Sequence, residues 1–77
     1  MTEKARDLDV VALVRPSGIW PAGTEGTIVW VDKDFVTMEV GMTEPGADKA
    51  EFLDLLVDVP YDAVRILKRF ERHAQAA

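Results

Sequence analysis

The sequence predicts an all-β protein, a small barrel of five short strands, on three observations. Gly23 and Gly26 stand three residues apart and lead directly into a β-branched run, as a tight turn feeding a strand does. Residues 35–41 alternate apolar and polar side chains, which is typical of an antiparallel strand with one buried face. Proline and glycine separate further short apolar runs within only 77 residues, a length that predicts a single domain.

The first two strands should flank a loop rich in proline and glycine. Both alternating sets of side chains at 8–15 are largely apolar, so this strand should be covered on both faces. The loop occupies 16–23, and the second strand is expected at 26–32. We assign the two odd-numbered valines of that strand to the core, which directs Trp30 outward.

Short connections should link the next two strands. Residues 32–34 have the length of a hairpin connection, and the third strand follows at 35–41. A Glu-Pro-Gly turn lies within 43–49, and residues 50–59 are expected to form the fourth strand. Pro60 ends that strand, because proline has no N–H to donate to a strand ladder.

The C-terminal part allows two interpretations. In the favoured one, residues 62–63 form a single helical turn, 64–67 a short closing strand and 68–75 a tail helix. In the other, one helix runs continuously from 62 to 75, because apolar residues there also fall near helical spacing. The favoured arrangement predicts a core of Val10, Ala12, Val14, Val29, Val31, Val36, Met38, Val40, Leu53, Leu55, Val57 and Ile66.

The charge is negative and unevenly distributed. Nine basic and fourteen acidic residues give the chain a net charge of −5. The segment 68–77 has three basic residues and one acidic residue, a net +2, so residues 1–67 carry −7. An acidic body repels nucleic-acid phosphates and attracts a basic protein partner.

Several features bear on the compartment. The chain has no cysteine, which excludes disulfides and thiolate metal sites and favours the cytoplasm. The segment 1–7 is charged, is expected to be flexible and lacks the apolar stretch of a signal peptide. No run approaches the roughly 20 apolar residues that a membrane-spanning helix needs.

Three runs of the sequence resemble a family of very small bacterial proteins of unknown function. They are 9–13 (DVVAL), 23–29 (GTEGTIV) and 55–65 (LLVDVPYDAVR). The resemblance covers residues 8–67 and implies an SH3-like barrel. It implies no catalytic residues, and some members of that family lie beside toxin-like genes. The complete prediction is thus an all-β, five-stranded SH3-like barrel with a C-terminal helical extension over 68–77.

The chain departs from that family in two places. Trp30 stands where the family tends to have a charged, outward-facing residue, and the segment 68–77 runs past the usual end of the domain. Both departures are candidates for an interaction surface peculiar to this chain.

No residue pattern indicates catalysis or a bound cofactor. His73 is the only histidine and lies in the basic tail, whereas a zinc site needs three or four suitable ligands. Asp32, Asp34 and Glu39 cluster near the second hairpin without the spacing of a calcium loop. The glycine turn lacks the Lys-Ser/Thr ending of a phosphate-binding loop. We therefore expect a protein that is not an enzyme and has no cofactor or metal.

Three acidic residues form a candidate docking surface. Asp54, Asp58 and Asp62 recur every four residues, which would place them on one face of a strand about 13 Å apart. Such a row is usually just a solvated face. It would also suit an antitoxin or immunity-like inhibitor that imitates phosphates in the basic active site of a nuclease, which is the first alternative function.

Aromatic and large apolar residues form the other candidate surface. Exposed tryptophan is costly on a monomer, and aromatic anchors are enriched at protein interfaces. Alternatively, Trp20 caps one end of the barrel and the tail helix covers Trp30. A groove for proline-rich peptides is disfavoured, because such grooves use several tyrosines and Tyr61 is alone. The interface candidates are Trp20, Trp30, Phe52, Leu56 and Phe70.

The leading functional prediction is a non-enzymatic, cytoplasmic protein-interaction module that forms a homo-oligomer through its aromatic face. A second alternative is a nucleic-acid-binding SH3-like module that uses the basic residues of 68–73. The sequence disfavours it, because no strand interleaves exposed aromatic and basic residues, and basic residues near a helix end also complement its dipole.

Overall fold

The computed structural model describes residues 4–71, which form one antiparallel sheet of five strands in the order β4-β3-β2-β1-β5. The strands are β1 (Val10–Leu13), β2 (Glu25–Val31), β3 (Phe35–Val40), β4 (Leu56–Pro60) and β5 (Val64–Lys68). Short 3-10 helices cover Ala47–Lys49, Phe52–Leu55 and Tyr61–Ala63. The predicted all-β class is confirmed, as are the hairpin at 32–34 and the helical turn before the last strand.

The sheet is open. Within residues 4–71, β4 pairs only with β3 and β5 pairs only with β1, so each of the two leaves one edge unpaired. The predicted tail helix does not begin at Lys68, which is the last residue of β5, and 69–71 are not helical. Residues 72–75 of that prediction lie outside the described part of the chain. The alternative helix over 62–75 is wrong, because its described part contains a strand.

The two glycines of the sequence motif serve different purposes. Gly23 has a φ of +94°, a left-handed conformation that L side chains rarely adopt, and its N–H donates to the carbonyl oxygen of Leu13. Gly26 allows β2 and β3 to approach closely. A Cβ built there would overlap the carbonyl oxygen of Glu39 and lie 2.7 Å from Cγ of Met38. The motif therefore ends the loop after β1 and tightens the centre of the sheet.

The inner face of the sheet carries the core. Val36, Met38 and Val40 alternate along β3 and are all buried, as their spacing predicts. Cross-strand pairing sets Met38 between Ile28 of β2 and Val57 of β4. The buried core cluster consists of Ala5, Val11, Leu13, Trp20, Ile28, Val36, Met38, Val40, Ala47, Val59 and Ala63.

A bulge in β2 overturns part of the predicted orientation of its side chains. Ile28 lies opposite Met38 and Trp30 lies opposite Thr37, so Val29 is the extra residue between the two pairs. Ile28 is therefore buried and Val29 exposed, the reverse of the prediction. Beyond the bulge, Trp30 points outward as predicted, and Val31, a predicted core residue, lies opposite the buried Val36 but is exposed at the end of the strand.

The region before β4 also differs from the prediction. A strand was expected at 50–59, but residues 52–55 turn as a 3-10 helix before the strand begins at Leu56. The turn takes Leu53 out of the core and leaves it 76% exposed. Val14, another predicted core residue, lies beyond the end of β1 and is exposed. Four further predicted core residues are only partly buried: Val10, Leu55, Val57 and Ile66.

A buried carboxylate joins the two ends of the described chain. Asp9 is 1% exposed, and one of its carboxylate oxygens accepts from the backbone N–H of Arg6 at 2.9 Å and from Nη1 of Arg69 at 2.7 Å. The other oxygen accepts from the N–H of Phe70 at 3.0 Å. We call this contact the Asp9 clasp. It holds the segment before β1 against the segment after β5, and Ala5, in the region predicted to be flexible, is part of the core.

None of the helices within 4–71 has the length and apolar character required to cross a bilayer.

Candidate protein-binding surfaces

The two tryptophans have opposite environments. Trp20 is only 3% exposed, and its Nε1–H donates to the carbonyl oxygen of Asp54 at 2.8 Å, which ties the loop after β1 to the 3-10 helix before β4. Trp30 is 60% exposed on the outer face of β2. Of the two, only Trp30 is available to a partner, whereas Trp20 packs into the core as the alternative interpretation proposed.

Trp30 belongs to an apolar group on the outer face of β1 and β2. The N–H of Leu8 donates to the carbonyl oxygen of Ile28 at 2.7 Å, which holds Leu8 against β2 at the residue before the bulge. Phe70, 49% exposed, lines a groove of about 370 Å³ together with Leu8 and Val10. We call these outer-face residues the apolar strip: Leu8, Val10, Val29, Trp30 and Phe70.

Leu8 occupies an unusual backbone conformation within this strip. Its φ is +71°, and among residues 4–71 no other non-glycine residue has a positive φ. A left-handed conformation costs a residue with a Cβ about 1 kcal/mol or more. The sequence nevertheless has a large apolar side chain there, 40% exposed and beside the buried Asp9.

The remaining predicted interface residues form a separate group. Leu56 lines a groove of about 240 Å³ with Ile19 and Leu53, and Phe52, 68% exposed, precedes Leu53 in the 3-10 helix. Glu39 lies opposite Leu56, and this polar residue stands between the group and β2. The predicted aromatic face is thus divided in two, with Trp30 and Phe70 on one part and Phe52 and Leu56 on the other.

The three acidic candidates do not form a row on one strand. Asp54 lies in a 3-10 helix, Asp58 in β4 and Asp62 in the 3-10 turn before β5, all exposed. The carboxylate of Asp58 accepts from Oγ1 of Thr37 at 2.6 Å, and that of Asp62 pairs with Nη2 of Arg15 at 2.9 Å. Asp62 therefore has a cationic partner on its own chain, which weakens the predicted resemblance to a row of phosphates.

Charge is distributed across the sheet with a clear polarity. Residues 16–60, which include β2, β3 and β4, contain nine acidic and two basic residues, a net −7. The flanking segments 4–15 and 61–71, which pair through β1 and β5, contain six basic and four acidic residues, a net +2. The β4 side is therefore acidic and the β5 side mildly basic, a polarity that could orient an incoming charged partner.

The described residues show no arrangement suited to metal chemistry. Within 4–71, no three His, Cys, Asp or Glu side chains are placed to hold a metal ion. The carboxylate of Asp32 accepts from the N–H of Lys33 at 2.7 Å, so it caps its own turn. His73 lies outside the described residues, as does Arg72 of the basic tail considered for nucleic acid.

Sequence reasoning missed two parts of these surfaces. The buried position of Asp9 was missed. Its partner Arg69 lies sixty residues further along the chain, and the two come together only because β1 pairs with β5. Leu8 and Val29 were missed because the bulge in β2 and the left-handed conformation at Leu8 have no marker such as glycine in the sequence.

Comparison of the chain with protein-family models, curated proteins and solved structures found no match.

Proposed function

We propose that the protein is a non-enzymatic interaction module that associates with a second copy of itself through the apolar strip. The observation that carries this proposal is the exposure of Trp30 on the outer face of β2, together with the exposure of Val29 beside it in the chain and of Leu8 and Phe70 at the neighbouring strands. Tryptophan is among the residues that contribute most to binding when an interface buries them. A second copy offers the same strip, so a two-fold contact would bury both at once.

The proposed scaffold is an SH3-like barrel whose sheet is left open between the edge strands β4 and β5. The strand order β5-β1-β2-β3-β4 and the 3-10 turn directly before β5 support this assignment. They also agree with the resemblance carried by 9–13, 23–29 and 55–65. The fold itself does not specify a function, which must be argued from the surface.

The acidic side of the sheet supports a weaker candidate, an inhibitor that binds a basic protein. The net −7 of residues 16–60 would attract such a partner. Self-association is the better-supported proposal, because Asp62 already pairs with Arg15 and the acidic candidates lie on three different elements.

The test is the absolute mass of the protein by light scattering on a sizing column, over a wide range of concentration. We expect the wild type to form a dimer and Trp30→Glu to raise its dissociation constant by about tenfold or more, since a buried charge opposes the contact. The intrinsic fluorescence of Trp20 reports whether the variant is folded.

The matched control is Met42→Glu. Met42 is exposed to a similar extent, 64% against 60% for Trp30, but it lies in the loop after β3, outside the apolar strip. We expect this variant to have the mass of the wild type. A wild type that is monomeric at every concentration, or a folded Trp30→Glu variant with unchanged mass, would contradict the proposal.

A further inference from the structure

The unpaired edge of β5 faces a groove. Within residues 4–71, β5 bonds to β1 on one side only, so alternate backbone N–H and C=O groups on its other side have no strand partner. A cavity of about 650 Å³ follows this edge and is lined by Ala5, Tyr61, Asp62, Val64, Arg65, Ile66 and Arg69. Most of these residues come from β5 and its flanks, so the cavity occupies the position of a sixth strand.

The floor of the groove is apolar. Val64 and Ile66 are half-buried and pack against the core from the inner face of β5. Tyr61 forms one wall, and two contacts fix its ring. Its hydroxyl donates to the carbonyl oxygen of Asp32, and the ammonium of Lys4 lies 4.8 Å from the ring centroid. The groove therefore has a defined shape before any partner binds.

The outer side of the groove is cationic. Arg65 is exposed on the outer face of β5 and forms no ion pair with residues 4–71. Lys68 follows on the same strand, and Arg69 is held at the end of the groove by the Asp9 clasp. The carboxylate of Asp62, the acidic group in the lining, is paired with Arg15. The local charge thus favours a negatively charged partner.

We infer that this edge binds an extended acidic segment of a partner protein as a sixth strand. Side chains of such a strand alternate between the two faces of the sheet. Apolar residues at one set of positions would contact Val64 and Ile66, and acidic residues at the other set would face Arg65. A register shift in β5 at Leu67 puts Lys68 on the same outer face as Arg65. Main-chain hydrogen bonds to β5 would supply the remaining contacts, as in other strand-addition complexes.

The same cations make other occupants less favourable. Charged side chains on an edge strand oppose pairing with an identical edge, because like charges would meet across the new ladder. Two copies of β5 would bring Arg65 and Lys68 of each chain together, whereas an acidic strand would neutralise them. Lys68 and Arg69 also line the groove beside Phe70, so the two surfaces adjoin. Val64, Arg65 and Ile66 line only the groove at β5, and the inference does not depend on self-association.

The probe is a fluorescein-labelled peptide of about eight residues with alternating valine and glutamate, long enough to span the five residues of β5. Binding is followed by fluorescence anisotropy at low salt. We expect saturable binding that Arg65→Glu weakens by about tenfold, because the substitution replaces attraction by repulsion. The same peptide with lysine in place of glutamate should not bind.

The matched control is Lys33→Glu, which makes the same change of charge in the turn between β2 and β3. Lys33→Glu should weaken binding by less than about twofold, and this loss measures the long-range effect of the charge change alone. A peptide that is N-methylated at alternate residues loses hydrogen-bond donors and should bind poorly. Amide shifts on peptide addition should concentrate at 64–68.

The inference would be overturned by absence of saturable binding to the wild type, by equal weakening by Arg65→Glu and Lys33→Glu, or by undiminished binding of the N-methylated peptide. Trp30→Glu should retain peptide binding whatever its oligomeric state, which separates this test from that of self-association. Loss of peptide binding in a folded Trp30→Glu variant would move the site to the apolar strip and also overturn the inference.

Discussion

The two sides of the sheet are held together by different kinds of contact. On the acidic side, β2, β3 and β4 follow one another along the sheet and bury an unbroken set of apolar side chains between them. On the other side, β1 and β5 are about fifty residues apart in sequence, and the Asp9 clasp fastens the segments that flank them. Alternation along β3 thus organises the core of one side, whereas a buried carboxylate adds a polar contact to the apolar packing of the other.

The apolar strip draws residues from both sides. On the acidic side, β3 buries Val36, Met38 and Val40, whereas Val29 and Trp30 at the bulge of β2 are exposed. On the other side, the carboxylate of Asp9 occupies the buried position between the chain ends, and Leu8 and Phe70 next to it are exposed. The strip therefore spans the two sides.

The largest effect is expected where the two sides meet. Gly26→Val would force a side chain into the backbone of β3 at Glu39 and should lower the free energy of unfolding by about 4 kcal/mol or prevent folding. Gly41→Ala is the control, since its Cβ would lie 3.6 Å from the carbonyl oxygen of Glu25, an ordinary contact. Urea unfolding measures both, and equal losses would show that the close approach at Gly26 is unimportant.

The clasp should give the next largest effect. Asp9→Asn removes the charge that faces Arg69 and puts an amide where two donors converge, so we expect a loss of about 3 kcal/mol in the free energy of unfolding. Asp34→Asn, in the exposed turn between β2 and β3, should cost little. If both variants lose the same stability, the clasp does not hold the β1–β5 side.

A smaller effect is expected on the acidic side. Trp20→Phe keeps an aromatic ring in the core but removes the Nε1–H that donates to Asp54, leaving a carbonyl without its partner. The loss should be about 1–2 kcal/mol. Hydrogen exchange should quicken in the 3-10 helix Phe52–Leu55 but not at β5. Equally faster hydrogen exchange at β5 would show that the two sides of the sheet do not open independently.

The smallest effect concerns the strained position of the apolar strip. Leu8→Asn replaces a leucine at φ +71° by a residue that tolerates this conformation, so relief of strain should offset lost contacts to within about 0.5 kcal/mol. Val14→Asn, at a residue of similar exposure with an ordinary φ, should lose more. The pair is compared by thermal unfolding, and a larger loss at Leu8 would mean that its side chain stabilises the fold.

The sequence supports prediction wherever a regular period is unbroken. The third strand, the hairpin before it, the helical turn predicted at 62–63 and the last strand are confirmed. Alternation marks the third strand, Pro60 precedes the turn, and the length of the connection marks the hairpin. Prediction fails where one residue changes the phase. The bulge at Val29 puts Ile28 rather than Val29 in the core, and the 3-10 turn at 52–55 leaves Leu53 exposed, although its spacing suits a strand.

Prediction of the surface was limited by the same causes. Trp30 and Phe70 were identified as exposed aromatic candidates, but their apolar neighbours depended on the bulge at Val29 and on the hydrogen bond of Leu8 to Ile28. The groove at β5 exists because the sheet is open, and strand periodicity does not predict whether a sheet is open or closed. The ion pair of Asp62 with Arg15 joins residues far apart in sequence and could not be read from charge spacing.

The wide sequence separation of β1 and β5 has a consequence for synthesis. The strands β1 to β4 have all left the ribosome before β5 does, and the hairpins among β2, β3 and β4 can form early because their contacts are local. Until β5 is available, one edge of β1 therefore has no strand partner, and the carboxylate of Asp9 has no ion pair with Arg69. During that interval β1 is the strand that a chaperone would meet.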